Sequence, residues 1–424
     1  MKTNNGTVML GHSRLNISKP RALKQNNRKL VLDIFRSKNE LMVGELSNST
    51  GLSRTTIIKI ISHFVNNGFI ISSGKGDSTD EGGKKPKLYS FNPRRGHVIG
   101  MTIFPDKINC GLFDLNADIL DTISSGLSDH EELDSVVKKI VFICDDLLIR
   151  NNMSYDQIIG IAVGSDGIVD VDRGVVCYAT HFPNWGTDIP LKERILEIIG
   201  QNIPIFIDNS VRLRAFAEEI KGSAMGKESI ITIYSGIGIA SCMINNGQIQ
   251  RGAHHLTGEI GHIILNPFDE EVCHCGGKGC FEVMISMKRI IGMITQNSYD
   301  FPNSSLLKNG KPENIKLGDI FRESNKNDSL SILIIDYIVK WFAIAIHNII
   351  LSHDPDKIIL QGDYKNAGKI FRDKLISQLT MITFPKVRKH IEIVYSKLDD
   401  NITFLTGPAY YAINEYFMSK TPYQ

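Results

Sequence analysis

Between residues 27 and 68, apolar side chains recur at helical spacing in three short runs. Leu30, Val31, Ile34 and Phe35 form the first stripe, and Val43 with Leu46 marks a second, shorter helix that stops at Thr50-Gly51. The third covers residues 54–67, with Ile57, Ile58, Ile61, Phe64 and Val65 turned inward. Ser53 stands where an N-cap accepts the first unpaired N–H groups, and Gly68 stands where a helix ends. Segments 69–72 and 87–91 then predict a β-hairpin around a polar loop at 73–86. A glycine-containing turn between two short helices, followed by a hairpin, is the pattern of a winged helix-turn-helix.

From His97 the periodicity changes. Strands are expected at 97–103, 107–114 and 117–123, a helix at 133–149, and a buried strand at 158–163. The rhythm continues with strand 203–207, helix 211–221 and strands 230–234 and 238–244. Helices at 284–295, 330–351, 367–379 and 404–416, with strands at 357–360 and 391–394, complete it. Such alternation implies α/β architecture, with sheets covered by helices in two lobes. The expected domains are a basic arm at 1–25, the helix-turn-helix with its wing at 26–95, and the α/β body at 96–424. The best apolar run, 341–351, is cut by His347 and Asn348 and falls short of the roughly 18 residues of a membrane span. With no signal-peptide core at the N-terminus, a cytoplasmic address and no membrane partner are expected.

Charge changes the picture. The net charge of +2 hides 17 Lys+Arg against 6 Asp+Glu in residues 1–95, a balance of +11, while the remainder carries −9. A basic front with its own folding pattern implies a polyanionic partner, namely duplex DNA. Ser53, Arg54, Thr55, Thr56 and Lys59 would face the major groove. Arginine can fork onto a guanine edge, whereas threonine and lysine more often hold phosphate. Lys84 and Lys85, in the loop Gly82-Gly83-Lys84-Lys85-Pro86, resemble a basic arm that tracks phosphates.

Of seven cysteines, Cys110, Cys144, Cys177 and Cys242 lie in apolar stretches and read as small core hydrophobes. Cys273, Cys275 and Cys280 crowd into eight residues after Gly258-Glu259-Ile260-Gly261-His262. Three thiolates and one imidazole make a closed tetrahedron, the chemistry of one structural zinc per chain. His262 is favoured over His274 for the fourth position, because His274 is flanked directly by two cysteines.

The winged front, the Gly-Glu-Ile-Gly-His motif and the Cys-x-Cys-Gly-x-x-Gly-Cys-x-Glu loop together resemble the ROK family of repressors, open reading frames and kinases. That resemblance implies a two-lobed, actin-like and hexokinase-like (ribonuclease-H-like) fold. It also implies a sugar in the cleft and a zinc loop at 258–282 that braces it. Members with a winged front resemble xylose and N-acetylglucosamine repressors, and members without it are mostly sugar kinases. Mapped by motif, Asn209, Glu259, His262 and Glu282 correspond to family sugar contacts, with Asn184 and Gly167 as further candidates. Glu282 and Asn209 each have a structural alternative, as caps of the helices that follow them.

Regulator and kinase share this body, so nucleotide chemistry decides between them. Where family kinases have Asp-x-Gly-Gly-Thr, this chain has Thr102-Ile103-Phe104-Pro105-Asp106. Proline there lacks an N–H, phenylalanine blocks close approach, and Asp106 repels phosphate. The second phosphate loop reads Tyr234-Ser235-Gly236-Ile237-Gly238, and paired glycines near the adenosine site read Gln361-Gly362. Ser210 stands at the position of the catalytic aspartate, so no catalytic residue is assigned. The resulting expectation is a homodimeric or homotetrameric sugar-responsive repressor of a carbohydrate operon, with a ROK sugar kinase as the alternative.

Overall fold

The computed structural model describes residues 20–38, 40–75, 85–128, 130–384 and 392–423. They divide into two compact units, one built from residues up to 95 and from 415 on, the other from Gly96–Asn414.

In the first unit, α1 (Pro20–Ser37) buries Val31, Leu32 and Phe35. Residues 20–25, expected in a basic arm, are therefore helical from Pro20 on. Leu30 is exposed, and Leu32 takes the inward place expected of it. After β1 (Leu41–Met42), α2 (Val43–Thr50) ends at Gly51, and α3 (Arg54–Asn66) begins where Ser53 Oγ accepts the Thr56 N–H at 3.2 Å. Ile57, Ile60, Ile61 and Phe64 face inward. Ile58 and Val65, expected inside, are 52% and 40% exposed. Four isoleucines in five positions cannot share one face when each residue turns about 100°; packing keeps 57, 60 and 61 and leaves 58 out. β2 (Ile70–Lys75) and β3 (Lys87–Phe91) form the hairpin, in a sheet of order β1-β3-β2.

Residues 415–423, expected to close the second domain, cluster instead with the first. The Phe417 ring lies 6.4 Å from Phe69 and 6.2 Å from Phe91, with the Arg36 guanidinium 3.8 Å over it. Arg28 donates to the Tyr423 carbonyl at 2.8 Å. A unit this small has little apolar surface of its own to bury, and the C-terminal aromatics supply more.

Both lobes of the second unit use one plan. The first sheet orders β4 (His97–Ile103), β5 (Lys107–Asp114), β6 (Ile119–Gly126), β7 (Ile158–Ser165) and the later strand at 205–209 as 11-7-4-5-6, parallel on one side and an antiparallel meander on the other. α4 (Leu133–Arg150) covers this sheet, with Val136, Ile140 and Cys144 against Ile99, Met101 and Val163. A small sheet of β8 (Ile168–Asp170), β9 (Val175–Tyr178) and β10 (Thr187–Ile189) then leads to α5 (Leu191–Ile199), β11 (Ile205–Asn209) and α6 (Ser210–Lys221). The second sheet is built from β12 (Ser229–Ser235), β13 (Ile239–Asn245), β14 (Gln248–Ile249) and two later strands, β15 (Lys357–Gly362) and β16 (Glu392–Tyr395), in the order 14-13-12-15-16.

The helix expected at 284–295 is two: α7 (Phe281–Met284) and α8 (Met287–Asn297), restarted where Ser286 Oγ accepts the Arg289 N–H. α9 (Leu317–Ser324) precedes α10 (Ser329–His353), which is long and apolar enough to cross a membrane. It is instead the core helix of the lobe, burying Ile334, Ile338, Phe342 and Ile346 against α11 (Gly368–Ile382).

α12 (Asp400–Met418) carries Pro408 inside it. Proline has no N–H, so the carbonyl four residues back, on Phe404, loses its helical donor. Thr102, fully buried at the end of β4, supplies the replacement: its hydroxyl donates to the Phe404 carbonyl at 2.6 Å. Beside it, a Cβ on Gly407 would lie 2.4 Å from the Leu213 carbonyl of α6, so the two helices cross in backbone contact.

Thr102→Val keeps the shape and removes the donor, and should cost about 1–3 kcal/mol in urea unfolding. Adding Pro408→Ala restores the N–H and should recover most of that loss. A double variant no more stable than Thr102→Val would refute this account of the junction.

Candidate functional site

Ligands of open α/β sheets bind outside the carboxyl ends of the strands. Here the ends of β4, β7, β11 and β12 converge on a cavity of about 420 Å³. Its wall includes Gly167, Asn209, Glu259, His262 and Glu282, five of the six sugar candidates.

Asp208, with no exposed surface, anchors one side. Its Oδ2 accepts Arg251 Nε and Nη2 at 3.0 and 2.6 Å, and its Oδ1 faces Arg212 Nη1 at 3.4 Å. Arg212 also donates to the carbonyls of His255 and Thr257. These bonds tie α6 to the loop that delivers Glu259. Burial raises the Glu259 carboxyl above its ordinary range, and the nearby Arg212 opposes that rise.

Asn209 caps α6: its Oδ1 accepts the N–H groups of Val211 and Arg212, and its Nδ2 donates to the Gly167 carbonyl at 2.8 Å. The structural alternative for Asn209 is thus realised, and one amide hydrogen is left over for a ligand. Gly167 has φ 78°, and a Cβ there would lie 1.9 Å from the Tyr178 carbonyl. Glu282 does not cap the helix after the cysteine loop. Its Oε2 accepts the Ile239 N–H at 3.0 Å, while His274 Nε2 lies 3.1 Å from Oε1. Ser210 opens α6 at the cavity edge.

Asn184 lies elsewhere. Its amide donates to the carbonyls of His130 and Glu131, and it does not line the cavity. Trp185 next to it is buried, stacked on Phe182 at 4.1 Å and bonded to the Glu131 carbonyl. The loop instead presents His181. Asp166 Oδ2 accepts the His181 backbone N–H at 2.6 Å and lies 3.0 Å from Nδ1, and both residues line the cavity. Hydrogen bonding to Asp166 raises the His181 pKa, partly offset by burial. No motif flags this pair; residues 166 and 181 meet only because β8 and β9 fold back on each other.

The turns read as degenerate phosphate loops form the cavity's other side. Phe104 packs edge-on against Phe404 at 4.7 Å, Tyr234 does so at 5.6 Å, and the Arg214 guanidinium lies 4.6–4.9 Å from the Phe404 and Tyr234 rings. Gln361 is buried and donates to Glu218 at 3.0 Å.

His262, Cys273, Cys275 and Cys280 offer ligand atoms all within 4.8 Å of one another, a cluster that could hold a metal ion. Cys273 Sγ lies 3.6 Å from His262 Nδ1, and Cys275 Sγ lies 3.7 Å from Cys280 Sγ. Metal–ligand bonds of about 2.3 Å to sulfur and 2.0–2.1 Å to nitrogen give tetrahedral edges of roughly 3.5–3.8 Å, so the donor set fits zinc. His274 points to Glu282 instead.

In the first unit, Arg54, Thr55 and Lys59 are exposed on α3, whereas the Ser53 and Thr56 hydroxyls are 2.9 Å apart within the cap. Lys85 is exposed beside the hairpin, and Lys84 lies outside the described residues.

Residues 98–414 match the profile of the ROK family. A putative xylose repressor of Caldicellulosiruptor sp. is 24% identical over 383 residues, covering 90% of this chain and 94% of its own. The DNA-binding transcriptional dual regulator NagC of Escherichia coli is 25% identical over 384 residues, covering 89% of this chain and 90% of its own. Among solved structures, a ROK family transcriptional regulator described as a homolog of the E. coli MLC protein superposes with a TM-score of 0.79 at 20% identity, covering 94% of this chain and 99% of its own. That likeness carries the two-lobed α/β fold expected from the sequence.

Asp166→Asn should lower the His181 pKa, read from the imidazole resonances in an NMR titration. The sign follows from the raised value: the pair's stabilisation is complete below the ordinary histidine pKa of about 6.5 and is lost as pH rises through the higher folded value. An unchanged His181 titration in the variant would refute the coupling.

Proposed function

The chain belongs to the ROK family, and from that footing we propose that it is a sugar-responsive transcriptional repressor of a carbohydrate-utilisation operon, in the cytoplasm, with no kinase activity. The observation that carries this reading is coverage: relatives named as repressors or regulators align over nine-tenths of the chain, more of it than residues 98–414 that match the family as a whole.

The site chemistry supports it. Phosphoryl transfer to a sugar hydroxyl needs a base at that hydroxyl. Ser210 is a poor one, and both oxygens of Asp208 are already occupied by arginine or backbone donors. Phe104, Phe404 and Tyr234 fill space between the two turns that would cradle phosphates.

The cavity suits a sugar. Glu259 and Glu282 accept from hydroxyl groups in fixed directions, Asn209 has an amide hydrogen free, and His181 and His262 present ring nitrogens. Asn184 drops out of the set. His262, Cys273, Cys275 and Cys280 would hold one structural zinc, which when bound fixes the loop between β14 and α7 and with it His262.

The front acts as a winged helix-turn-helix, with α3 in the major groove and Lys85 near phosphate. A homodimer would place two such heads on a palindromic operator. Sugar binding weakens DNA affinity to the extent that it favours a state in which the heads do not match the half-sites.

Fluorescence anisotropy at about 150 mM salt should show a preference on the order of 10³ for DNA upstream of its own gene over a scrambled duplex. Xylose, glucose and N-acetylglucosamine are then added in turn, and one of them should release the specific complex. Glu259→Gln should bind DNA normally and resist release. Equal binding to both duplexes would refute the regulator reading, and release of the variant at the wild-type sugar concentration would refute the sugar site.

Metal analysis of purified protein should give about one zinc per chain, and chelation should lower the melting temperature. Cys275→Ser should lose the metal. A folded, metal-free protein with unchanged melting would overturn the zinc assignment.

A further inference from the structure

We infer that Ile58, with Thr55 beside it, reads the 5-methyl groups of thymines in the major groove, so that the operator is recognised through thymine methyls as well as through Arg54. The inference rests on the DNA-binding reading of the first unit.

The starting point is an apolar side chain on the wrong side of α3 for folding. Ile57, Ile60, Ile61 and Phe64 complete the buried face, and Ile58 stands 52% exposed outside it. Its exposed neighbours within one turn are all polar: Arg54 one turn before it, Thr55, Lys59, and Ser62 one turn after it; Val65, 40% exposed, lies two turns on. Isoleucine at an exposed helical position has lower helix propensity than lysine, glutamine or alanine, so α3 gains nothing from it locally.

The major groove holds one apolar feature among its donors and acceptors, the thymine methyl, and short apolar side chains or the threonine methyl are what contact it. Isoleucine suits that task because its branched Cβ restricts χ1 in a helix to essentially one rotamer, so little freedom is lost on binding. The flanking cations agree with this occupant. Arg54 and Lys59 lie within a turn of Ile58, on a unit whose sequence to residue 95 carries a balance of +11. A second copy of the chain docking on this patch about a two-fold axis would bring Arg54 and Lys59 against their own equivalents, which like-charge repulsion opposes. Phosphates on either side of the groove remove that conflict.

The test uses the full chain and duplex DNA from upstream of its own gene, at about 150 mM salt. Thymidines are replaced one at a time by deoxyuridine, which removes only the methyl group. Wild-type protein should lose roughly fourfold in affinity at one or two thymines in each half-site, the effect of burying one methyl. Ile58→Ala should bind more weakly to the thymine duplex and respond no further to deoxyuridine at those positions. Its affinity for a scrambled duplex should match wild type, which shows that the fold and the phosphate contacts survive. If wild type is indifferent to every replacement, or Ile58→Ala is as sensitive as wild type throughout, the inference is overturned. If wild type fails to prefer its own DNA to the scrambled duplex, the DNA-binding reading itself falls.

Discussion

A carboxylate with no exposed surface has to be matched by donors, and the cleft of this protein is arranged around that requirement at Asp208. Arg251 and Arg212 meet it from two directions, and Arg212 spends its remaining donors on the carbonyls of His255 and Thr257. The loop carrying Glu259 is thereby fixed to the helix whose cap, Asn209, holds the Gly167 carbonyl. Removing one partner from a buried pair typically costs about 3–5 kcal/mol, far more than the pair contributes beyond a well-packed apolar alternative. Its value here is positional: it sets where three cavity residues stand relative to one another.

The opposite wall is held by packing. In a phosphotransferase of this architecture the two phosphate-facing turns must leave room for a nucleotide. Here Phe404 sits between Phe104 and Tyr234, and a buried Arg214 lies over two of the three rings. Edge-on ring pairs and cation–π contacts in a desolvated setting are each worth about 1 kcal/mol. The lobes are thus joined on that side by the chain's own side chains, across the cavity from the wall that carries Glu259, His262 and Glu282.

The sequence was legible where chemistry is local. The cysteine loop and Gly-Glu-Ile-Gly-His lie within 25 residues and need only one turn to converge, so the four members of a cluster that could hold a metal ion could be named from spacing. Glu259 and Glu282 in the same stretch were named from the family resemblance, and both line the cavity. Asp166 and His181 escaped because 15 residues and two strands separate them, and neither stands in a periodic pattern. Asn184 failed because a short 3-10 turn at Pro183–Trp185 directs its amide to the carbonyls of His130 and Glu131, a choice fixed by a distant helix start. Ile58 was misplaced because β-branched crowding at 57–61 gives two helical faces equal claim, and only the packed unit chooses. Residues 415–423 were assigned by continuity of sequence, although their aromatics answer the small unit's need for core.

Trp185 has a consequence of another kind. The protein has two tryptophans, and the other, Trp341, is buried in the core of the second lobe. Trp185 rides on the same short loop as His181, stacked on Phe182, with its indole N–H on a main-chain carbonyl. An indole emits according to the field and rigidity around it, so Trp185 reports on the loop that presents His181 to the cavity. With Trp341→Phe the signal would come from that one loop alone.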